Sequence, residues 1–77
     1  MLKEFVTYII EHLVDDKNAV AVTQRQEGER YFIEVRVASQ DLGKVIGKGG
    51  ATIRSIRAVA SLVAAQKGYE IAIEVVQ

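Results

Sequence analysis

Val45-Ile46-Gly47-Lys48-Gly49-Gly50-Ala51-Thr52-Ile53 reads as two helices joined by a bare bend. Four residues of it, Gly47 to Gly50, hold three glycines and one lysine. Gly49 and Gly50 can take positive φ without steric cost, and Gly47 lets another backbone come close. The bend opens a helix, so free N–H groups and the positive end of the helix dipole face outward there. Anions bind such places. Lys48 adds a full charge at the tip. Arg54 follows one turn along the second helix, and Lys44 precedes on the first.

Around the bend lies an apolar strip of Leu42, Val45, Ile46 and Ile53. Gly43 carries no side chain, so a flat base can rest on that turn. Phosphates on a rim and bases over an apolar floor describe a groove for single-stranded RNA or DNA; a duplex keeps its bases hidden. The candidate contact residues are Gly43, Lys44, Ile46, Gly47, Lys48, Gly49, Gly50 and Arg54. Other glycine motifs fit worse. A P-loop needs G-x-x-x-x-G-K-[ST], and the run from Gly43 to Lys48 is one residue short. A dinucleotide fingerprint needs G-x-G-x-x-G directly after a strand, and no such spacing exists. A DNA-reading helix-turn-helix has no need of the strands found below.

Working outward, Leu2, Phe5, Val6, Ile9, Leu13 and Val14 recur at three- and four-residue steps, an amphipathic helix of about four turns. Asp15 to Asn18 ends it, with Asn18 as a left-handed cap. Residues 20–24 and 31–37 read as strands around a turn at Glu27-Gly28-Glu29. Ile33, Val35 and Val37 share one face; Phe32, Glu34 and Arg36 share the other, wetter one. Ser39 suits an N-cap, with Asp41 in the first turn of a short helix over about 40–46. A long helix follows over about 51–66, closed by Lys67-Gly68. Its core face is Ile53, Ile56, Val59, Ala60 and Val63. Residues 70–76 alternate as a third strand. The order is α-β-β-α-α-β, an α+β class.

Seventy-seven residues make one domain with a thin core. Apolar residues are 49%, too many for a disordered tail. There is no cysteine, so disulfides and thiolate metal sites are excluded. The one histidine, His12, cannot build a metal site alone. No stretch approaches the ~20 apolar residues that cross a bilayer. Lys3, Glu4, Glu11 and His12 interrupt any signal peptide, so the cytoplasm is the expected compartment. Net charge is zero, but it is unevenly spread. Residues 42–69 hold five basic residues (Lys44, Lys48, Arg54, Arg57, Lys67) and no acid, whereas residues 1–41 hold eight acids against five bases. Either the positive charge marks the binding surface, or it is a solvated face.

The long helix has more apolar surface than one core needs. Ala51, Ser55, Ala58, Leu62 and Ala65 repeat at steps of four and three, the pattern of a helix–helix seam. A dimer interface is the expectation; the bland alternative is that small residues only favour helix.

With these elements in place, the chain resembles the KH domain in its type II arrangement, specifically the small bacterial KhpA (YlqC-like) family. Val45 to Ile53 matches the V-I-G-x-x-G-x-x-I signature throughout, and the likeness covers essentially the whole chain. The resemblance implies a three-stranded sheet covered on one face by three helices, and a cleft that clamps about four nucleotides of single-stranded RNA. It also implies an RNA chaperone or post-transcriptional regulator that pairs with itself or with a KhpB-like KH protein. A link to peptidoglycan homeostasis and cell-length control comes from the same resemblance. No cofactor or metal is expected. An enzyme is disfavoured, because no Ser/His/Asp or Cys/His set exists and Asp15 and Asp16 read as a helix terminus. The remaining alternative is a protein-interaction module with little RNA affinity.

Overall fold

A computed structural model describes residues 1–76. Its elements are α1 (Leu2–Glu11), β1 (Ala21–Glu27), β2 (Arg30–Arg36), α2 (Leu42–Ile46), α3 (Ala51–Ala65) and β3 (Glu70–Val76). This is the α-β-β-α-α-β order expected. The sheet runs β1-β2-β3, with β1 antiparallel and β3 parallel to the central β2. A parallel neighbour requires a long crossover, and α2, the glycine bend and α3 supply it.

The hairpin turns on Gly28 and Glu29 between the paired residues Glu27 and Arg30. Gly28 has φ 61° at the first central position, where a side chain would be strained. At the far end of α3, Gly68 (φ 78°) makes a Schellman close. Its amide reaches Ala65 O and the Tyr69 amide reaches Ala64 O, both at 3.0 Å. The Glu70 amide then bonds Glu29 O at 2.8 Å, so β3 starts locked to the hairpin turn.

The core lies between the helices and the inner sheet face. Val6 and Ile10 of α1 meet Ile33 and Val35 of β2, Val45 of α2 and Ala60 of α3, each 1% exposed or less. Each large side chain buried this way stabilises by roughly 1.5–3 kcal/mol. Among the described residues, no helix covers the opposite face. Phe32 lies there under the Arg25 guanidinium, 4.4 Å from its centroid. Arg30–Glu70 (2.7 Å) and Arg36–Glu34 (3.3 Å) are exposed pairs, worth at most about 1 kcal/mol each.

Three local expectations need correction. The first helix stops at Glu11, short of four turns. The apolar spacing carries on because Leu13 and Val14 still donate to Ile10 O, through a tightened turn that keeps Val14 buried. Asn18 is no left-handed cap: it sits in a 3-10 turn over Lys17–Ala19, and no described residue other than glycine has positive φ. Val59 is 46% exposed, and Ala64 takes the expected core place. At 100° per residue Val59 points roughly 100° away from the mean direction of Ile53, Ile56, Ala60 and Ala64. Among the described residues, no helix is long and apolar enough to cross a membrane.

Candidate functional site

The glycine bend is reached through a turn that Asp41 organises. Ser39 does not cap a helix; Ser39–Asp41 form a 3-10 turn without a side-chain cap bond. Asp41 is instead fully buried. Its carboxylate accepts from the Asp16 amide (3.0 Å), the Asp15 amide (3.2 Å) and Lys44 Nζ (3.2 Å). The Asp16 amide, followed by the Asp15 amide and the Lys44 ammonium, holds this carboxyl below the usual range against the opposing effect of burial. Lys44 also pairs with Asp15. The carboxylates of Asp15 and then Asp41 raise its pKa. Lys44 is therefore engaged within the chain by two carboxylates.

The bend itself has three different glycines. Gly47 adopts φ 76°, ψ 168°, and a Cβ there would lie 2.2 Å from Thr52 Oγ1. The close approach expected at this position is thus made by the chain's own Thr52. Gly49 (φ 62°, ψ 17°) is left-handed but open, with nothing within 4 Å of an added methyl. Gly50 (φ 81°, ψ 12°) precedes α3, and a Cβ would meet Arg54 Nη1 at 2.9 Å. That same Nη1 donates to Gly49 O at 2.7 Å.

The amides of Gly47 and Gly50 bond inside the turn, to Gly43 O (2.9 Å) and Gly47 O (3.1 Å). The amides of Lys48 and Gly49 have no protein acceptor among the described residues. The Lys48 side chain is exposed and has no ion-pair partner among them either. Two amides without a protein acceptor and one ammonium without an ion-pair partner among the described residues thus lie just before the N-terminus of the fifteen-residue α3. Their combined effect is to attract an anion.

The apolar floor is narrower than expected. Val45 is fully buried and Ile53 is 4% exposed, so both belong to the core. Leu42 and Ile46 stay half-buried beside exposed Gly43. Gly43 has no positive φ, and an added Cβ would meet nothing within 4 Å. A glycine inside a helix costs about 1 kcal/mol relative to alanine. Neither packing nor backbone within the chain requires that sacrifice at Gly43.

Arg57 was absent from the expected site, and the structure places it at the β3 edge, where it also lines a concavity on the helix-free sheet face. Its Nε donates to Ile73 O at 3.2 Å, on the free edge of β3. The Glu70 amide bonds to the β2 side, so Ile71, Ile73 and Val75 turn their backbone polar groups outward. Arg54 and Arg57 lie roughly 60° apart around α3 and carry positive charge from the bend toward this edge. Their three-residue spacing on one flank was a readable signal. A concavity of about 570 Å³ lies on the helix-free sheet face around Arg25, Phe32, Glu34 and Arg57.

Ala51, Ser55, Ala58, Leu62 and Ala65 are all exposed and lie opposite the buried face of α3. Leu62 is 68% exposed. His12 is a surface residue whose Nδ1 donates to Tyr8 O at 2.8 Å. Among the described residues no cluster of three or more His, Cys, Asp or Glu side chains is placed to hold a metal.

Residues 3–75 match the family model described as KhpA/KhpB, KH domain. The chain is 37% identical to the RNA-binding protein KhpA of Chlamydia pneumoniae over 76 residues, 99% of this chain and 97% of that one. It is 34% identical to the RNA-binding protein KhpA of Aquifex aeolicus, covering 99% and 96%. With the Clostridium perfringens protein of that name the identity is 33%, covering 97% and 100%. Among solved structures, Aquifex aeolicus Era bound to GDP and AlF4− superposes with a TM-score of 0.65 at 19% identity. That match covers 96% of this chain and 29% of Era, and shows a shared fold.

Proposed function

The chain belongs to the KhpA/KhpB KH-domain family of non-enzymatic binding proteins, and from that premise we propose that it binds single-stranded RNA through the glycine bend. The observation that carries this reading is the pair of amides at Lys48 and Gly49, unengaged among the described residues, beside an ammonium that has no ion-pair partner among them. The relatives' shared description as RNA-binding proteins supports it. Lys48 contacts a phosphate, and Gly49 and Gly50 let the sugar-phosphate strand approach. Gly47 shapes the bend for them. Bases lie on Gly43 and Ile46, reachable only when unpaired. Lys44 adds background field alone, because Asp15 and Asp41 neutralise it.

Gly43 supplies the test, because its replacement should move fold and binding in opposite directions. Gly43→Ala removes a helix-breaking residue where nothing obstructs a methyl, so denaturant unfolding should report a gain of roughly 0.5–1 kcal/mol. The same methyl lifts a base off the floor. Stacking contacts are worth about 1–3 kcal/mol per base, so affinity for a short single-stranded RNA should fall roughly tenfold in a polarisation titration. Unchanged affinity would place the bases elsewhere.

The exposed stripe of α3 extends the proposal to pairing, with a second copy or a KhpB-like KH protein as partner. Leu62 stands out of a row of small residues, with Val59 exposed one turn away, a shape that lets a second helix approach closely. Leu62→Glu should convert a dimer to monomers in sedimentation equilibrium; an unchanged mass removes the stripe from the interface. Pairing suits the groove. With ~3 phosphate contacts the single-site salt slope is only about −2, and two linked grooves gain avidity without new chemistry. A cytoplasmic RNA chaperone or post-transcriptional regulator, tied to peptidoglycan homeostasis and cell length, is the role the family likeness suggests. The exposure of Leu62 also favours a second reading, a pairing module with little RNA affinity, which predicts dimers that bind no RNA.

A further inference from the structure

Resting on the RNA-binding reading, we propose that Arg54 is a positioning residue, which holds the glycine bend in its binding shape and is not itself a phosphate contact. Its side chain turns back five residues and donates from Nη1 to Gly49 O at 2.7 Å. Gly50 is where this strap crosses, since a Cβ there would lie 2.9 Å from the same nitrogen. Glycine at 50 therefore serves the passage of Arg54 as well as the positive φ of 81°.

Gly49 and Gly50 are consecutive residues with positive φ, and nothing lies within 4 Å of a Cβ placed at Gly49. Side-chain packing therefore does not hold Gly49, and its carbonyl is fixed by the guanidinium. The guanidinium thus holds the carbonyl end of the 49–50 peptide, whose N–H end is held by Gly47 O at 3.1 Å, and together they fix the ψ of Gly49 and the φ of Gly50. Without the strap, the Gly50 amide alone restrains this peptide, and the equivalent of about one residue must be ordered each time RNA binds. Ordering one flexible residue weakens binding by roughly tenfold. A planar guanidinium is suited to the task, because its donors are fixed in one plane.

The test compares Arg54→Lys and Arg54→Met in the full chain. Lysine keeps the charge on a stem one bond shorter and without the fork; methionine removes both. Each variant is titrated with a mixed-sequence pool of single-stranded RNA about eight nucleotides long, at several salt concentrations. Backbone order parameters of Gly49 and Gly50 are measured in the free protein. Positioning predicts that both variants lose affinity roughly tenfold with an unchanged salt slope, and that order falls at both glycines before any RNA is added. A phosphate contact predicts wild-type affinity for the lysine variant, and for methionine a slope shallower by about 0.7. That result, or unaltered order at Gly49 and Gly50, overturns the proposal. A wild-type protein that binds no RNA sinks the binding reading, while the order parameters still decide whether Arg54 sets the bend.

Discussion

Replacing Lys48 and Gly49 together by aspartate is expected to remove single-stranded RNA binding while the chain stays folded. The electrostatic case is direct. One ammonium is lost and two carboxylates arrive beside the Lys48 and Gly49 amides, which have no protein acceptor among the described residues. Each charge-assisted hydrogen bond forfeited is worth about 1.5–3 kcal/mol. Repulsion between the new carboxylates and the phosphates adds to that. Affinity should fall by roughly a hundredfold or more, below the range of a polarisation titration. The structural case matters equally. Gly49 is left-handed (φ 62°, ψ 17°), a region aspartate tolerates better than most residues, and a Cβ there meets nothing within 4 Å. Lys48 is exposed. Circular dichroism and the unfolding midpoint should therefore match those of the unmodified protein. Tight binding by this folded variant would remove the glycine bend from the recognition surface.

Gly47→Ala should have the opposite character, with the fold lost before binding can be measured. The backbone at Gly47 (φ 76°, ψ 168°) lies in a region that is essentially glycine's alone, where any side chain costs about 1–3 kcal/mol. A methyl would also sit 2.2 Å from Thr52 Oγ1 and 2.7 Å from the Thr52 amide nitrogen. The nitrogen belongs to the first turn of α3 and cannot swing aside like a side-chain tip. Relieving such an overlap costs about 1–3 kcal/mol more. A domain this small holds only about 5 kcal/mol in reserve, so the sum consumes much or all of it. Thermal melts should show a large fall in midpoint or no cooperative transition. A normal melt would mean that α3 can shift away from the bend at little cost. The two glycines thus separate two kinds of necessity, one internal to the chain and one at its surface.

Much of the fold was readable from periodicity. Ile33 and Val35, and then Ile71, Ile73 and Val75, alternate in step, and strands stand at both places. The bend was readable because three glycines in four residues leave few other uses. What escaped reading depends on partners distant in sequence. Nothing near Asp41 reveals that the amides of Asp15 and Asp16 close on it from the other end of the hairpin. Those amides, with Lys44, turn an apparent first-turn acid into a buried anchor. The neighbour of Gly47 was hidden for another reason. Thr52 lies only five positions on, but the contact exists only because the chain reverses between them. The end of α1 is overshot because apolar spacing continues through a tight turn in which Leu13 and Val14 both donate to Ile10 O but which is not α-helix. Val59 has the apolar character of a core residue, although its angular position on α3 points aside.

The parallel pairing of β2 with β3 has a consequence for the order of events during synthesis. The hairpin of β1 and β2 is local and can form as soon as it is made. The two helices that frame the bend are tethered on one side only until β3 inserts beside β2 along Arg30–Arg36. Arg57 finds its acceptor on Ile73 at that same moment. Until β3 has emerged from the ribosome and docked, a nascent chain therefore shows the lysine tip without Arg57 held at the β3 edge, and on the proposed reading it should take up RNA only afterwards.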